Sequence, residues 1–319
     1  MYRDQKICVF MPAYNEERLI GSVLDRMPDY VDTIVVVNDG STDTTPNIAK
    51  AKGAFVVTHK MNRGVGAAFH TGVNKALELT ADIMVTIDAD GQFDSRDINK
   101  LIDPIIDGDA DFVTASRFKD KKLVPKMSRI KYWGNIAMSK LISFLIGQRF
   151  FDVSCGFRAY SKEALLRLNV FGQFTYTQET FMDLAFKNLT IQEVPISIQG
   201  TREYGPSKVA KNLFRYVYRT SMIILKAFRD YKPLKFFGFI GGVSACVGFL
   251  LEGFLLWHYF QAGKFSPFKI VGFAGGYLLA IGLLIFITGL LADMLHRIRV
   301  NQEEILYRKK KELFTQKEL

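Results

Sequence analysis

The sequence has few cysteines, and they lie far apart. Cys8, Cys155 and Cys246 are the only three in 319 residues. An odd number at such spacing makes a disulfide framework or a structural zinc site improbable and fits a reducing compartment. The apolar run near the N-terminus, at 7–11, is too short for the core of a signal peptide. We therefore expect the bulk of the chain to stay in the cytosol.

The first two thirds of the chain lack net charge. Residues 1–205 contain 25 basic and 25 acidic residues, whereas residues 206–319 contain 17 basic and 7 acidic residues. A nucleic-acid-binding module usually presents a basic face on a folded domain, so nucleic acid is not an expected partner. The excess positive charge instead flanks two long apolar runs, which indicates an anionic membrane surface as the partner.

Short β-branched runs alternate with longer amphipathic stretches from Ile7 to Ser116. The short runs predict strands at 7–10, 33–37, 55–58, 83–87 and 112–115. The stretches between them predict helices at 16–27, 43–51, 66–79 and 95–106. Strict alternation predicts right-handed βαβ units, which form an α/β fold with a mostly parallel sheet. The ligand site of such a sheet lies at the carboxyl ends of its strands.

The stretch 117–205 is less regular. It contains a lysine-rich segment, two predicted helices at 132–146 and 178–186, and a predicted strand at 191–198. We assign this stretch to the same domain as the strands before it.

Two apolar runs, 236–260 and 270–291, are each long enough to cross a bilayer as a helix. Lys and Arg cluster before the first run and after the second, while the loop between them contains only Lys264 and Lys269. The positive-inside rule then places both ends in the cytosol. The alternative is a pair of buried helices in a large soluble core. Glu252, in mid-span, is either a functional intramembrane group or part of a helix-helix or subunit contact.

The chain before the first apolar run has apolar residues at helical spacing with basic residues between them. This pattern predicts a helix lying on the membrane surface, although an amphipathic helix against the globular domain explains it equally well. The predicted organisation has four parts: a cytosolic domain at 1–210, an amphipathic juxtamembrane helix at 211–235, a two-helix hairpin at 236–295 and a basic cytosolic tail at 296–319.

Acidic residues follow the fourth predicted strand in the run Asp88-Ala89-Asp90-Gly91-Gln92. Alternate residues of an extended chain point the same way, so Asp88, Asp90 and Gln92 can present oxygen atoms together. Such hard donors suit Mg²⁺ or Mn²⁺ bound to a diphosphate. A plain acidic turn is the alternative, but the position at a strand end favours a ligand site.

Two further strand ends carry polar residues, in the segments Pro12 to Glu16 and Asn38 to Asp43. A turn followed by a helix cap accounts for the second segment. It does not account for a tyrosine and a glutamate at the end of the first strand.

Three more motifs complete a family pattern. They are Asn-Arg-Gly-Val-Gly-Ala-Ala at 62–68, Ala-Ser-Arg-Phe at 115–118 and Cys-Gly-Phe-Arg-Ala-Tyr at 155–160. With the strand-end segments, the chain resembles the family 2 glycosyltransferases of the GT-A fold. More narrowly, it resembles the polyprenyl-phosphate sugar synthases, which include the dolichol-phosphate mannose and glucose synthases. The resemblance covers residues 7–210. A Rossmann cofactor is not expected, because Phe69 replaces the third glycine of a dinucleotide fingerprint.

The resemblance implies roles for the donor side of the site. The nucleotide base and ribose would be held by Pro12, Tyr14, Glu16 and Asp39. Asp88 would orient the nucleotide or the metal, and Asp90 and Gln92 would bind Mg²⁺ or Mn²⁺. Arg202 and Lys208, in a loop after the last predicted strand, would neutralise the donor diphosphate.

The same resemblance implies roles for the acceptor side. Arg117 and Arg129 would bind the acceptor phosphate, with Lys126 and Lys131 as alternatives to Arg129. Asp152 occupies an acidic position near the reacting centre, and we expect it to orient other groups more than to act as an obligatory base. The expected catalytic residues are Asp152, Arg117 and Lys208.

The reaction that the resemblance implies is inverting transfer of a hexose from a nucleotide-diphosphate sugar to a membrane polyprenyl or dolichyl phosphate. UDP-glucose or UDP-N-acetylglucosamine is the favoured donor, with GDP-mannose second. The product would be a lipid-phosphate-sugar for glycan or protein glycosylation, and self-association through the hairpin is expected. The alternatives are a family 2 transferase with a polysaccharide or protein acceptor, and a membrane-tethered nucleotide-sugar binding protein without turnover.

Overall fold

A computed structural model describes residues 1–169, 176–199 and 213–315, except for the side chains of 213–220, 223 and 315. The chain divides into two compact units. One comprises Met1–Ile224 together with Leu306–Leu319, and the other comprises Leu225–Ile305. The first is an α/β unit, and the second contains the two long apolar helices.

The α/β unit is built on one seven-stranded sheet with the order β3-β2-β1-β4-β6-β5-β7. Its strands are β1 Ile7–Ala13, β2 Thr33–Asn38, β3 Phe55–Thr58, β4 Ile83–Thr86, β5 Phe112–Ser116, β6 Arg158–Ser161 and β7 Ile191–Pro195. All neighbouring pairs are parallel except those of β6, which runs antiparallel to β4 and β5. The prediction of an α/β fold with a mostly parallel sheet is confirmed.

The helices connect and cover these strands. They are α1 Ile20–Leu24, α2 Thr45–Ala51, α3 Val65–Glu78, α4 Ile98–Ile106, α5 Arg129–Ile146, α6 Lys162–Arg167, α7 Thr177–Phe186, α8 Leu213–Tyr231, α9 Pro233–Ala262 and α10 Lys269–Thr315. Both faces of the sheet are buried. Alternate residues of β1 show this, since Val9 belongs to the core cluster with α4, while the Phe10 ring packs against Gly72 of α3.

The strand order places a switch point between β1 and β4. The chain runs outward from β1 through β2 to β3 and then crosses to β4 on the other side of β1. A crevice opens at the carboxyl ends of the strands where the order reverses in this way. The ends of β1, β2 and β4 therefore face one region, as the sequence predicts.

Local structure differs from prediction at several places, and the largest difference is that α10 continues to Thr315 although its predicted span ends at 291. The predicted helix at 16–27 is only the short α1, because its first residues form a loop held to the end of β2. The predicted strand at 191–198 ends at Pro195, which has no N–H to donate to the sheet. The strand β6 and the helix α6 were not predicted.

The second unit contains α9 and part of α10, packed closely through glycines. A Cβ atom added to Gly241 would lie 2.7 Å from the carbonyl oxygen of Gly282, and one added to Gly282 would lie 2.8 Å from that of Gly241. Gly248 and Gly275 form a second contact of this kind. A Cβ atom added to Gly248 would lie 2.8 Å from the Gly275 carbonyl oxygen. The spacing of seven residues is that of a left-handed helix pair. Glu252 lies against Gly275 in this contact.

Candidate functional site

The loop after β1 is tied to the loop after β2 by Asn15. Its backbone φ of 53° lies in the left-handed region, which asparagine tolerates better than most residues. Its side-chain oxygen accepts from the Thr42 N–H at 2.8 Å, and its own N–H donates to Ser41 Oγ at 3.0 Å. Tyr14 and Glu16, on either side of it, are half-buried beside this clasp. Pro12 lies within β1, paired with Val37.

Asp39 is buried at the end of β2 and holds the loop that precedes α3. Its carboxylate accepts from the N–H groups of Arg63 at 2.9 Å and Gly64 at 2.8 Å. His59 Nδ1 lies 2.8 Å from the same carboxylate, and His59 Nε2 lies 2.9 Å from Thr71 Oγ1. Asp39 therefore fixes the loop that leads to α3 at this edge of the sheet.

Gly40, next to Asp39, cannot be another residue type without local rearrangement. Its φ is 75°, and an added Cβ atom would lie 2.6 Å from the Met61 carbonyl carbon. The backbone after β2 therefore lies directly against the segment that leads to α3.

The carboxylates after β4 lie at the switch point. Asp88 is half-buried against Gly156, where an added Cβ atom would lie 3.2 Å from its Oδ2. Thr86 Oγ1 donates to the Gly156 carbonyl at 2.6 Å, which fixes this close approach. Asp90 is buried, and its Oδ1 accepts from the Gln92 N–H at 3.1 Å across the turn at Gly91. The two carboxylates and Gln92 thus share one tight turn.

The donor set of this turn fits a divalent cation held jointly with a diphosphate. Within the described residues, no group of three or more His, Cys, Asp and Glu side chains could hold a metal. Two carboxylates and one amide oxygen do not fill the coordination shell of Mg²⁺ or Mn²⁺. The oxygens of a bound diphosphate commonly supply further ligands. The Gln92 nitrogen donates to the Gln199 carbonyl at 3.0 Å, so its oxygen is the atom suited to a metal.

Arg117 and Asp152 form a buried ion pair. Arg117 follows β5, and Asp152 lies in the irregular segment between α5 and β6. The Arg117 Nε and Nη2 donate to the two carboxylate oxygens at 2.6 and 2.8 Å, and the Arg117 N–H donates to Oδ2 at 3.1 Å. The Asp152 side chain is 0% exposed and that of Arg117 is 19% exposed.

Electrostatics keep Asp152 ionised. Burial alone would raise the pKa of this carboxyl group, but the Arg117 guanidinium and the N–H donors outweigh burial and lower the pKa below its ordinary value. A buried carboxylate whose charged form two guanidinium donors stabilise is suited to orienting Arg117. It is poorly suited to accepting a proton.

The ion pair is connected to α5 by two residues that the sequence analysis missed. Arg117 Nη2 donates to Ser154 Oγ at 2.8 Å, and Ser154 Oγ donates to Asn135 Oδ1 of α5 at 2.9 Å. Neither residue stands in a recognisable motif. The only sequence signal is that Ser154 lies between Asp152 and the 155–160 motif.

Arg129 is exposed at the first residue of α5. Ser128 caps this helix, with its Oγ accepting from the Lys131 N–H at 3.4 Å. The helix start and Arg129 offer N–H groups and positive charge, which suit an anion. No contact joins Arg129 to Arg117 in the described residues, and Arg202 and Lys208 lie outside the described residues.

Comparisons with known proteins agree with this geometry. A model of the glycosyl transferase family 2 matches residues 8–168. The UDP-N-acetylglucosamine--dolichyl-phosphate N-acetylglucosaminyltransferase of Methanococcus voltae is 36% identical over 69% of this chain and 96% of its own length. Glycosyltransferase AglJ of Haloferax volcanii is 28% identical over 94% of this chain and 98% of its own length, so that similarity reaches into the C-terminal helices.

A solved structure shows the same fold. Glucosyl-3-phosphoglycerate synthase from Mycobacterium tuberculosis, in complex with Mn²⁺, UDP and glucosyl-3-phosphoglycerate, superimposes with a TM-score of 0.56. The identity is 24%, over 70% of this chain and 80% of that one. With the sheet order, the strand-end carboxylates and the family match in agreement, the chain belongs to glycosyl transferase family 2.

Proposed function

We propose that this protein transfers a sugar from a nucleotide-diphosphate sugar to a polyprenyl or dolichyl phosphate in a membrane. The observation that supports this most strongly is the link between Arg117 and α5. Arg117 is a phosphate-binding type of residue at the carboxyl edge of the sheet, and Ser154 and Asn135 connect it to a helix with an apolar exposed face. A phosphate on a lipid needs both features in one place.

The exposed face of α5 has the composition of a membrane-binding surface. Its exposed apolar side chains recur at helical spacing and are Ile130, Trp133, Leu141 and Phe144. Phe144 is 83% exposed and Trp133 is 64% exposed. Seven Lys or Arg residues and no Asp or Glu lie between residues 121 and 150. Exposed apolar side chains in a segment whose charged residues are all basic fit an anionic lipid surface.

The C-terminal helices support the same location. Each contains an 18-residue apolar window of which only 11% is buried, whereas a helix in the core of a soluble protein would be mostly buried. We propose that α9 and the first part of α10 cross the membrane, with the α/β unit and both termini in the cytosol. Self-association through this hairpin belongs to the same proposal.

The chemistry requires little from a general base. An oxygen of the acceptor phosphate attacks the anomeric carbon, a new carbon-oxygen bond forms, and the bond to the donor diphosphate breaks with inversion. A phosphate monoester is already anionic at neutral pH, with a second pKa of about 6. It therefore needs orientation, which Arg117 would supply from its fixed position on Asp152.

The leaving diphosphate is the group that needs stabilisation. Asp88, Asp90 and Gln92 would hold Mg²⁺ or Mn²⁺ there, and the bound cation would offset the negative charge that develops on the leaving oxygen. Arg202 and Lys208 are proposed for the same task. We propose a UDP-sugar as the donor, and N-acetylglucosamine is the sugar named in the relative from Methanococcus voltae.

The proposal is tested by transfer to lipid. Purified protein would be mixed with polyprenyl phosphate, Mn²⁺ and labelled UDP-N-acetylglucosamine, UDP-glucose or GDP-mannose, and then extracted with organic solvent. We expect label in a lipid that releases its sugar in mild acid. Label found in polymer or protein would favour the other acceptor classes, and no label from any donor would contradict the proposal.

The variant Asp90→Ala tests the proposed metal site. It should abolish transfer, because it removes a hard ligand at the diphosphate, while the fold persists around a small turn. Ala substitution of Asp94, a nearby half-buried carboxylate paired with Arg96, serves as the control. A rate for Asp90→Ala near that of the wild type at saturating Mn²⁺ would remove Asp90 from the metal site.

A further inference from the structure

Glu193 is a buried carboxylate beside the acceptor side of the site that no sequence motif singles out. It lies in β7, paired with Thr114 of β5, and is 8% exposed. Its carboxylate accepts from the Phe151 N–H at 2.8 Å and from the Asp152 N–H at 2.7 Å. These two N–H groups belong to the irregular segment between α5 and β6, where no sheet partner is present for them among the described residues.

The contacts of Glu193 lead directly to Arg117. The side chain fixes the peptide groups on both sides of Phe151, and the next carboxylate along that segment is Asp152, which accepts from Arg117. The backbone of Glu193 contacts the segment that carries Arg117, since the Glu193 carbonyl accepts from Nζ of Lys119, two residues after Arg117, at 2.6 Å. One residue therefore fixes both segments that form the ion pair.

The charged form of Glu193 is disfavoured at this position. Burial raises the pKa of Glu193, the neighbouring Asp152 carboxylate acts in the same direction, and the N–H groups of Phe151 and Asp152 only partly oppose them. A group whose pKa is raised in the fold contributes less stability once the pH exceeds its ordinary value. Burial therefore disfavours the charged form, and the hydrogen bonds supply only part of the compensation.

We propose that Glu193 is a positioning residue that holds Asp152, and through it Arg117, in the orientation that receives the acceptor phosphate. This inference rests on the proposed function for its catalytic consequence. The geometric part, that Glu193 fixes the guanidinium of Arg117, stands independently of the substrate.

Glu193→Gln in the full-length protein is the sharpest test. Glutamine keeps the shape and one acceptor oxygen, but it puts an N–H₂ group against the Phe151 N–H, so two donors face each other. The matched control is Asp111→Asn. Asp111 also accepts a backbone N–H, that of Thr190 at 2.9 Å, near the opposite end of the β5–β7 pair.

The first measurement is chemical. Phenylglyoxal modification of Arg117, followed by peptide mass spectrometry, reports how firmly its guanidinium is held and needs no substrate. We expect modification in Glu193→Gln about three-fold faster than in the wild type, because a buried hydrogen bond of ordinary strength is lost. Arg96, whose side chain is 80% exposed, should react equally in all proteins. An unchanged rate at Arg117 would overturn the proposal.

The second measurement separates acceptor from donor. With a short prenyl phosphate, kcat/KM for the acceptor should fall about ten-fold in Glu193→Gln. Affinity for UDP with Mn²⁺ should match the Asp111→Asn control, and the thermal midpoint should fall only slightly further than in that control, because one buried hydrogen bond is lost. Equal losses in UDP affinity and thermal midpoint would mean that Glu193 supports the fold as a whole, which would also overturn the proposal. If the wild type uses neither the short prenyl phosphate nor polyprenyl phosphate, the proposed function is wrong, and the modification rate still decides the role of Glu193.

Discussion

The Arg117–Asp152 pair is the residue contact on which the proposed acceptor site depends. Two hydrogen bonds of 2.6 and 2.8 Å join a fully buried carboxylate to a mostly buried guanidinium. Removing one partner of a buried pair costs about 3–5 kcal/mol, because the other charge is left without compensation. The pair is therefore important for both stability and the orientation of Arg117.

Asp152→Asn should lower the free energy of unfolding at pH 7 by about 3 kcal/mol. The pKa of Asp152 lies below its ordinary value of 3.8, so its contribution is complete above that pH and is lost as the pH falls through the lowered pKa. The difference between variant and wild type should therefore shrink in acid, as urea unfolding across a pH series would show.

The control for this variant is Asp107→Asn, which removes an exposed pair with Arg3. It should cost less than about 1 kcal/mol. A difference for Asp152→Asn that stays constant into strong acid would contradict the assignment of an ionised Asp152.

Sequence reasoning located these residues but not their partners. Asp39 and Asp88 were correctly expected at strand ends, because a parallel sheet gathers such ends at one edge. The partners of Asp39, the N–H groups of Arg63 and Gly64, depend on how a loop 24 residues away folds back. Glu193 was missed because its role depends on a segment 41 residues earlier in the chain.

Among the helices of the α/β unit, α5 exposes large apolar side chains. Trp133 and Phe144 are exposed apolar rings on a helix whose own charged residues are all basic. In water such rings gain nothing from exposure, whereas burying each in a lipid interface is favourable by about 1–3 kcal/mol.

Replacing both Trp133 and Phe144 by Ser should weaken the contact of this surface with anionic lipid, and transfer by the full-length protein reconstituted in anionic vesicles would measure the effect. Transfer to membrane polyprenyl phosphate should fall about ten-fold, while transfer to a short prenyl phosphate should change little. Phe55→Ser, an exposed ring on the edge strand β3, is the control. An equal loss of transfer with both acceptors would show that these side chains support the fold and do not contact the lipid.

Short elements were the hardest to predict. The strand β6 begins with Arg158, and a charged residue argues against a buried strand. Arg158 is nevertheless fully buried, because it donates to the carbonyls of Cys155, Thr177 and Val153 and to Thr180 Oγ1. The long helix α9 was predicted within three residues, since its apolar run leaves little choice, whereas α10 continues to Thr315, well beyond the apolar run that predicted it.

At the scale of the whole molecule, the last turns of α10 return to the α/β unit. Tyr307 donates to Glu163 Oε2 at 2.8 Å, and the Arg167 guanidinium lies 4.1 Å from the Tyr307 ring centroid. Lys310 Nζ donates to the Leu168 carbonyl at 3.0 Å and to Asn169 Oδ1 at 3.3 Å, just past the end of α6. A cation at a helix C-terminus is favourable, so Lys310 helps to hold this tail.

Lys310→Met should release the tail and speed trypsin cleavage at the neighbouring Arg308 and Lys311 by about three-fold, because the loss of charge-assisted hydrogen bonds raises the open population. Lys309→Met, on an exposed position of the same turn, is the matched control. Cleavage at equal rates in both variants would mean that Lys310 does not hold the tail.

The central claim concerns which bond of the donor breaks. A sugar transferase breaks the bond between the anomeric carbon and the diphosphate, so none of the donor phosphorus reaches the lipid. The most direct test is a UDP-sugar, with the sugar chosen from the transfer assay, carrying ¹⁴C in the sugar and ³²P in the β-phosphate, incubated with the full-length protein, Mn²⁺ and polyprenyl phosphate. The account predicts ¹⁴C without ³²P in an acid-labile lipid. Lipid that carries both labels would show transfer of a phosphosugar and would contradict the account.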